Sequence, residues 1–200
     1  MSAAVALLTE GGFAAISHRA VAERAGLPLA ATTYYFRSRG ELVTHAFARL
    51  VQRELQAWRR ALAGLRTAHD AAAAVELLAG VLCPTDPKER ARQLALWELY
   101  LQAGRDPNLA WIAAAWTDGC TAIAADLLHD LGLPSQAARL LVLALGGVLV
   151  CNLVEQPTDA QEFTAQAART LLEAASRTPT SRDAPPTACR STNTLSSTSA

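Results

Sequence analysis

Four proline-bearing breaks cut most of this chain into lengths that suit helices: residues 83–87, 104–107, 132–134 and 156–159. Proline opens a helix well and continues one badly, so each break ends one helix and starts the next. The intervening stretches, near 68–82, 87–103, 108–131, 135–155 and 159–176, are rich in alanine and leucine, both good helix formers. Nowhere do Val, Ile, Thr and aromatic residues alternate as a half-buried strand requires. Upstream, glycine and serine supply the punctuation. Residues 2–10 read as a helix stopped by Gly11 and Gly12. Ser17 can cap a helix over 18–24 that ends at Gly26. Pro28 suits the first turn of a helix reaching Tyr35, and Ser38 can cap a long one over 39–65. The expectation is an all-α chain of nine helices.

Formal net charge is zero, but the charges are segregated. Residues 1–66 hold nine arginines against Glu10, Glu23, Glu41 and Glu54, a net of +5, and the remainder carries −5. A basic head on an acidic body suits a protein that offers one end to a polyanion. With 51% hydrophobic residues the body can build a large core. Residues 177–200 are rich in Ser, Thr, Pro and Ala and poor in large apolar groups, so a disordered tail is expected there.

Cys83, Cys120, Cys151 and Cys189 are far apart, and no CxxC pair or metal-ligand spacing occurs. The first three have apolar neighbours and read as small core residues. His45, His69 and His129 are scattered and read as solvated. The chain opens without a charged leader region, and its longest apolar run, 140–154, is shorter than the roughly twenty residues of a membrane span. A cytoplasmic protein is the expectation. Gly-rich phosphate loops, HExxH, GxSxG and paired carboxylates are all missing, so an enzyme is not expected, and no cofactor or metal is.

The segment with most information is 17–36, SHRAVAERAGLPLAATTYYF. Two short helices flank Ala25, Gly26 and Leu27, the layout of a helix-turn-helix. Val21, Ala22, Ala25 and Leu27 are small or apolar where the helices must touch, with Leu27 as a plug. Phe13, Ile16, Phe36 and Leu42 complete a small core. The second helix then turns Leu29, Ala30, Thr33, Tyr34 and Tyr35 outward, where hydroxyls meet phosphates and small apolar groups meet base edges.

The stretch GGFAAISHRAVAERAGLPLAATTYYFRSRGEL resembles the DNA-binding domain of the tetracycline-repressor (TetR) family over about 45 residues. The resemblance lies in Gly12–Phe13, Ser17–His18–Arg19, Val21–Ala22, the Ala25–Leu27 turn, Tyr34–Phe36, and Ser38–Arg39 with Glu41–Leu42. It implies a head over 1–45 and a helical ligand-binding and dimerisation body over 46–176. It implies a homodimer on a near-palindromic operator, repressing until a small molecule enters the body. By the same resemblance, Ser17 caps the second helix and touches a phosphate, and His18 and Arg19 lie at the groove edge. Leu29, Ala30 and Thr33 face bases, Tyr34 and Tyr35 clamp phosphates, and Arg39 pairs with another. Two features depart from the family pattern. Thr32 and Thr33 stand where leucine and tyrosine are common, and the given sequence starts inside the first helix, so the family's basic arm is either absent or lies upstream of Met1.

Beyond the head the residues suggest two sites. Helices 135–155 and 159–176 are the expected dimer pair, because the first is apolar on nearly every face and Gly146–Gly147 would allow close approach. The alternative is a core helix within one chain. Trp97, Tyr100, Trp111, Trp116 and the lone amide Asn152 are the candidate lining of a pocket for an apolar ligand, entered between helices 87–103 and 108–131. Each could equally be core packing. Two other functions fit the same residues: a helical protein–protein interaction module, and an all-α enzyme whose site is assembled from distant positions.

Overall fold

The computed structural model describes residues 1–63 and 70–177. The segment 64–69, with His69, and the expected tail from 178 on, with Cys189, lie outside the described residues. Within them every regular element is a helix: α1 (Ser2–Ala15), α2 (His18–Ala25), α3 (Leu29–Tyr35), α4 (Arg39–Ala63), α5 (Ala71–Leu82), α6 (Pro87–Ala103), α7 (Pro107–Asp130), α8 (Ala138–Glu155) and α9 (Ala160–Ser176). A single 3-10 turn, Ser135–Ala137, leads into α8.

Local chemistry explains the boundaries. The Ser17 hydroxyl accepts from the Ala20 amide at 3.1 Å and opens α2, and Gly26, at φ 65°, closes it. Ser38 accepts from the Glu41 amide at 3.1 Å, while the Glu41 carboxylate reaches back to the Arg37 amide at 2.7 Å, a reciprocal cap for α4. The body helices begin on carboxylates instead: Asp70 for α5, Asp86 for α6 and Asp106 for α7, with Pro87 and Pro107 as first helical residues. One boundary differs from expectation. α1 does not stop at Gly11 but runs to Ala15 with a break at Gly12, whose φ of 68° and ψ of −166° only glycine adopts without strain.

Two cores result. One joins α1, α2, α4, α6 and α7 around Leu8, Ile16, Leu42, Phe47, Leu50, Leu99 and Ile112. The other joins α5, α7, α8 and α9 around Ala79, Leu128, Leu141, Leu153 and Ala168. The head is therefore not free-standing. α1 packs against both α4 and α6. α4 and α7 approach closely at Gly119, where a Cβ would sit 2.5 Å from Leu55.

α8 behaves partly as a core helix. Leu141, Leu145, Leu149 and Leu153 are buried within the chain, while Leu140, Leu143 and Val154 on its outer side are more than half exposed. A Cβ added at Gly146 would meet the Trp97 ring at 3.8 Å, while one at Gly147 would meet open space. The stretch 135–155 is long and apolar enough, by length and composition, to cross a membrane, and a third of it is buried in the fold.

Candidate nucleic-acid interface and ligand cavity

The head holds α3 outward on a small set of contacts. Val21 and Ala22 are buried beneath it, and Thr32, 5% exposed, donates to the Leu29 carbonyl at 2.9 Å and lies 3.3 Å from the His18 carbonyl. That bond fixes α3 on α2 and explains why Thr32 itself faces inward. Leu29, Ala30, Thr33, Tyr34 and Tyr35 are all exposed. Tyr34 and Tyr35 are 83% and 72% exposed and stack edge to face, with centroids 5.3 Å apart, so neither ring packs the head against α4. Leu27, expected as a plug, is 54% exposed, because the Gly26 turn carries it past the α2–α3 seam. Together with Leu29 it adds apolar surface to the same face.

The remaining head residues divide by role. Arg19 is exposed. His18 is half-buried, and its Nδ1 has no protein partner. Ser17 spends its hydroxyl on the α2 cap. Arg39, expected to pair with a phosphate, is exposed and also bonds within the head. Its Nε donates to the Ile16 carbonyl at 2.7 Å, a terminal nitrogen donates to the Phe13 carbonyl at 2.6 Å, and the guanidinium lies 4.4 Å over the Phe13 ring. Those bonds tie the start of α4 to the α1–α2 junction and use two of the five guanidinium N–H donors of this exposed side chain. The same junction is held from the other side. Glu98 on α6 accepts from the Phe13 amide at 2.8 Å, and a Cβ on Gly12 would sit 2.7 Å from that carboxylate.

In the body, a cavity of about 340 Å³ opens between α4, α5, α6, α7 and α8. Its size falls within the roughly 300–1,000 Å³ of small-molecule sites. Trp97, Tyr100 and Trp116 line it, as does Trp58, which sequence reasoning left out. Trp58 and Trp116 meet edge to face with centroids 5.3 Å apart, and Trp97 and Tyr100 lie 5.8 Å apart. Leu55, Trp58 and Leu62 recur at helical spacing on α4, the signal that places Trp58 inward. Tyr100 hydrogen-bonds Thr117, and burial pushes its phenol above the usual value. Burial pushes the Cys120 thiol up to about 12, so it stays protonated.

Two expected lining residues are elsewhere. Trp111 is 58% exposed on the outer side of α7, in a shallow groove with Met1 and His45, because Leu109, Ile112 and Ala113 take the buried side of that helix. Asn152 lies outside the cavity and donates to the Leu82 carbonyl at 3.0 Å and to Thr164 Oγ1 at 2.9 Å, with the Cys83 sulfur 3.3 Å away. It is a buried amide satisfied by α5 and α9. Of the cysteines, Cys120 is buried, Cys83 half-buried and Cys151 exposed on α8, the last contrary to expectation. Among the described residues, no group of three or more His, Cys, Asp or Glu side chains is placed to hold a metal ion.

Comparison with known proteins agrees with this architecture. The family described as bacterial regulatory proteins, tetR family, matches residues 1–46, and the tetracyclin repressor-like C-terminal domain matches residues 69–178. No curated protein matches. Among solved structures, the multidrug binding protein EbrR complexed with proflavin is 27% identical, covering 85% of this chain and 95% of its own, with a TM-score of 0.65. EbrR complexed with ethidium gives 27% identity, coverage of 85% and 94%, and a TM-score of 0.66. A member of the TetR family from Streptomyces coelicolor A3 is also 27% identical, with coverage of 85% and 94% and a TM-score of 0.63. With both of its family domains matched, a helix-turn-helix head and a hollow helical body, the chain belongs to the TetR family of bacterial transcriptional regulators.

Proposed function

We propose that this regulator is a repressor that grips a near-palindromic operator as a homodimer and lets go when a small apolar molecule fills the body cavity. The observation that carries the reading is the pairing, in one chain, of an exposed α3 face with an aromatic-lined cavity in the body. Exposed Leu29, Ala30 and Thr33 suit base edges, and the Tyr34 and Tyr35 hydroxyls suit phosphates. Ser17, His18 and Arg19 stand at the start of α2, beside the same groove. Arg39 supports the interface by shaping the head. The likeness to EbrR, whose structures hold proflavin and ethidium, supports a ligand-responsive body.

Dimerisation supplies what one chain leaves uncovered. Leu140, Leu143 and Val154 of α8 and Phe163 of α9 are 68%, 58%, 69% and 56% exposed. Large apolar groups gathered on one face suit a self-complementary two-fold interface, which matches the symmetry of a palindrome. A regulator of this kind works in the cytoplasm, where its DNA is. Head and body divide near residue 45, with the α1–α6 contact as their joint.

Release needs a path from cavity to head, and α6 offers one. Trp97 and Tyr100 line the cavity, and Glu98, between them, holds the Phe13 amide at the head junction. A ligand that shifts α6 changes the position of α2 and α3 through that bond and through Arg39. The test is a genome-wide pull-down with purified protein to obtain the operator, then anisotropy titration of that operator with and without proflavin or ethidium. A consensus palindrome bound by a dimer, and weakened by ligand about 5–150-fold, supports the reading. A protein that binds no duplex in preference to another defeats it.

A further inference from the structure

One polar side chain in the cavity has no work inside the protein. Gln93 of α6 is 1% exposed and lines the cavity. Among the described residues no hydrogen bond to its side-chain amide is found, and the residue borders the hollow. It sits in register with Leu96, Trp97 and Tyr100, one, one and two turns further along the same side of α6. The other polar lining groups are occupied or weak: Tyr100 and Thr117 bond each other, and Cys120 is a buried thiol. None of the lining residues is charged. The buried carboxylate of Glu54 is outside the lining and paired at 3.2 Å with Arg92, the residue before Gln93.

Charge and hydrogen bonding then select the ligand. A cation brought into this cavity sheds its water and meets no counter-ion. The indole faces attract cations, but less strongly than a carboxylate would. A neutral aromatic molecule loses little on entry and gains stacking against Trp97 and Trp116. An amide that both donates and accepts pairs best with an edge that does the same.

Resting on the ligand-responsive reading above, we infer that the effector is an uncharged planar aromatic compound with a lactam- or carboxamide-like edge, and that Gln93 is the residue that selects it. Water can serve the amide while the cavity is empty, so the selectivity is the difference between water and ligand as partners, about tenfold in affinity. Affinity for the remaining ring surface comes from the aromatic walls and does not depend on Gln93.

Three probes that share a phenanthrene-like tricyclic core, the third bulkier than the others, test this by quenching of tryptophan emission in the full chain. They are 6(5H)-phenanthridinone, a neutral lactam; phenanthrene, which lacks the polar edge; and ethidium, a phenanthridinium cation. The parent should bind phenanthridinone about tenfold more tightly than phenanthrene, and more tightly than ethidium. Gln93→Leu should erase the first difference by weakening phenanthridinone, with phenanthrene binding retained as proof that the cavity is intact. Gln93→Glu should gain affinity for ethidium and lose it for phenanthridinone. Ethidium as the best ligand of the parent, or a Gln93→Leu protein that still prefers phenanthridinone tenfold, overturns the role of Gln93 and leaves the ligand-responsive reading standing. Failure of all three probes to bind overturns both.

Discussion

The recognition face and the cavity handle aromatic side chains in opposite ways. On α3, Tyr34 and Tyr35 stand in solvent, edge to face with each other, while in the body Trp97 and Trp116 line a common cavity. The head leaves apolar surface uncovered because a rigid macromolecule will cover it. The body leaves volume unfilled because something small can fill it. Both arrangements give up packing that a purely structural protein would complete. The difference also predicts how each site fails. Substitutions on α3 should change binding with little change in folding, whereas substitutions around the cavity act on both.

The largest effect should come from the surface proposed to join two chains. Leu140→Glu places a charge on the exposed α8 stripe, and the dimer should separate without unfolding. Sedimentation should show monomers, and operator affinity should fall by more than a hundredfold as the two half-sites lose their link. Leu149 is unsuitable for this test, since it is buried within its own chain and lines the cavity.

Next comes the contrast between the two aromatic sets. Tyr35→Ala should weaken operator binding about tenfold with a melting temperature near that of the parent. Trp97→Leu should abolish ligand-induced quenching and release while the unliganded protein still binds DNA. Equal loss of stability in both variants would erase the distinction between an exposed face and a cavity wall. Glu98→Ala probes the joint between them. Ligand and operator should each still bind, but the fold-change that one imposes on the other should shrink toward unity.

Smaller effects separate buried charge from buried thiol. Burial raises the Glu54 carboxyl above its usual value, outweighing the pull of Arg92. The folded state thus holds this proton more tightly than the unfolded one. Its contribution to stability is full below the ordinary value of 4.5 and is lost as pH rises through the raised one. Glu54→Gln should flatten that part of the stability–pH curve. Arg92→Ala should cost about 1–3 kcal/mol at neutral pH, less than for a fully buried pair because Arg92 is partly exposed. Smallest of all, iodoacetamide at pH 8 should label Cys151, which the α8 face exposes in the single chain, in the monomeric Leu140→Glu variant and spare Cys120, as peptide mapping would show.

The all-helical fold and the head were legible because punctuation and periodicity are local. Pro87, Pro107, Ser17 and Gly26 act within a turn of where they stand. Trp97, Tyr100 and Trp116 were recognised as a group because two share a helix side and all are large. What escaped depended on contacts between distant segments. Arg39 looks like a free cation until α1 is brought beneath it, 23 and 26 residues away in sequence. Asn152 looks like a ligand group until Thr164 and the Leu82 carbonyl meet it. Trp111 is one residue from Ile112 yet faces the opposite way, a matter of α7's rotation rather than its composition. Gln93 shared its register with Trp97 and Tyr100, and only the hollow it borders distinguishes it from a surface glutamine.

The joint between head and body reads main chain rather than side chains. Glu98 holds an amide, and Arg39 holds two carbonyls, groups that every residue but proline offers in full. The one sequence demand is at Gly12, where a side chain would strain the backbone and displace the carboxylate. A lineage carrying this joint can rewrite α3, and with it the operator, without renegotiating its attachment to the sensor. It can equally remodel the cavity wall and keep the same address on the chromosome. Under the proposed function, specificity for DNA and specificity for effector would be inherited separately, and Gly12, Glu98 and Arg39 would be the positions at which drift breaks the connection between them.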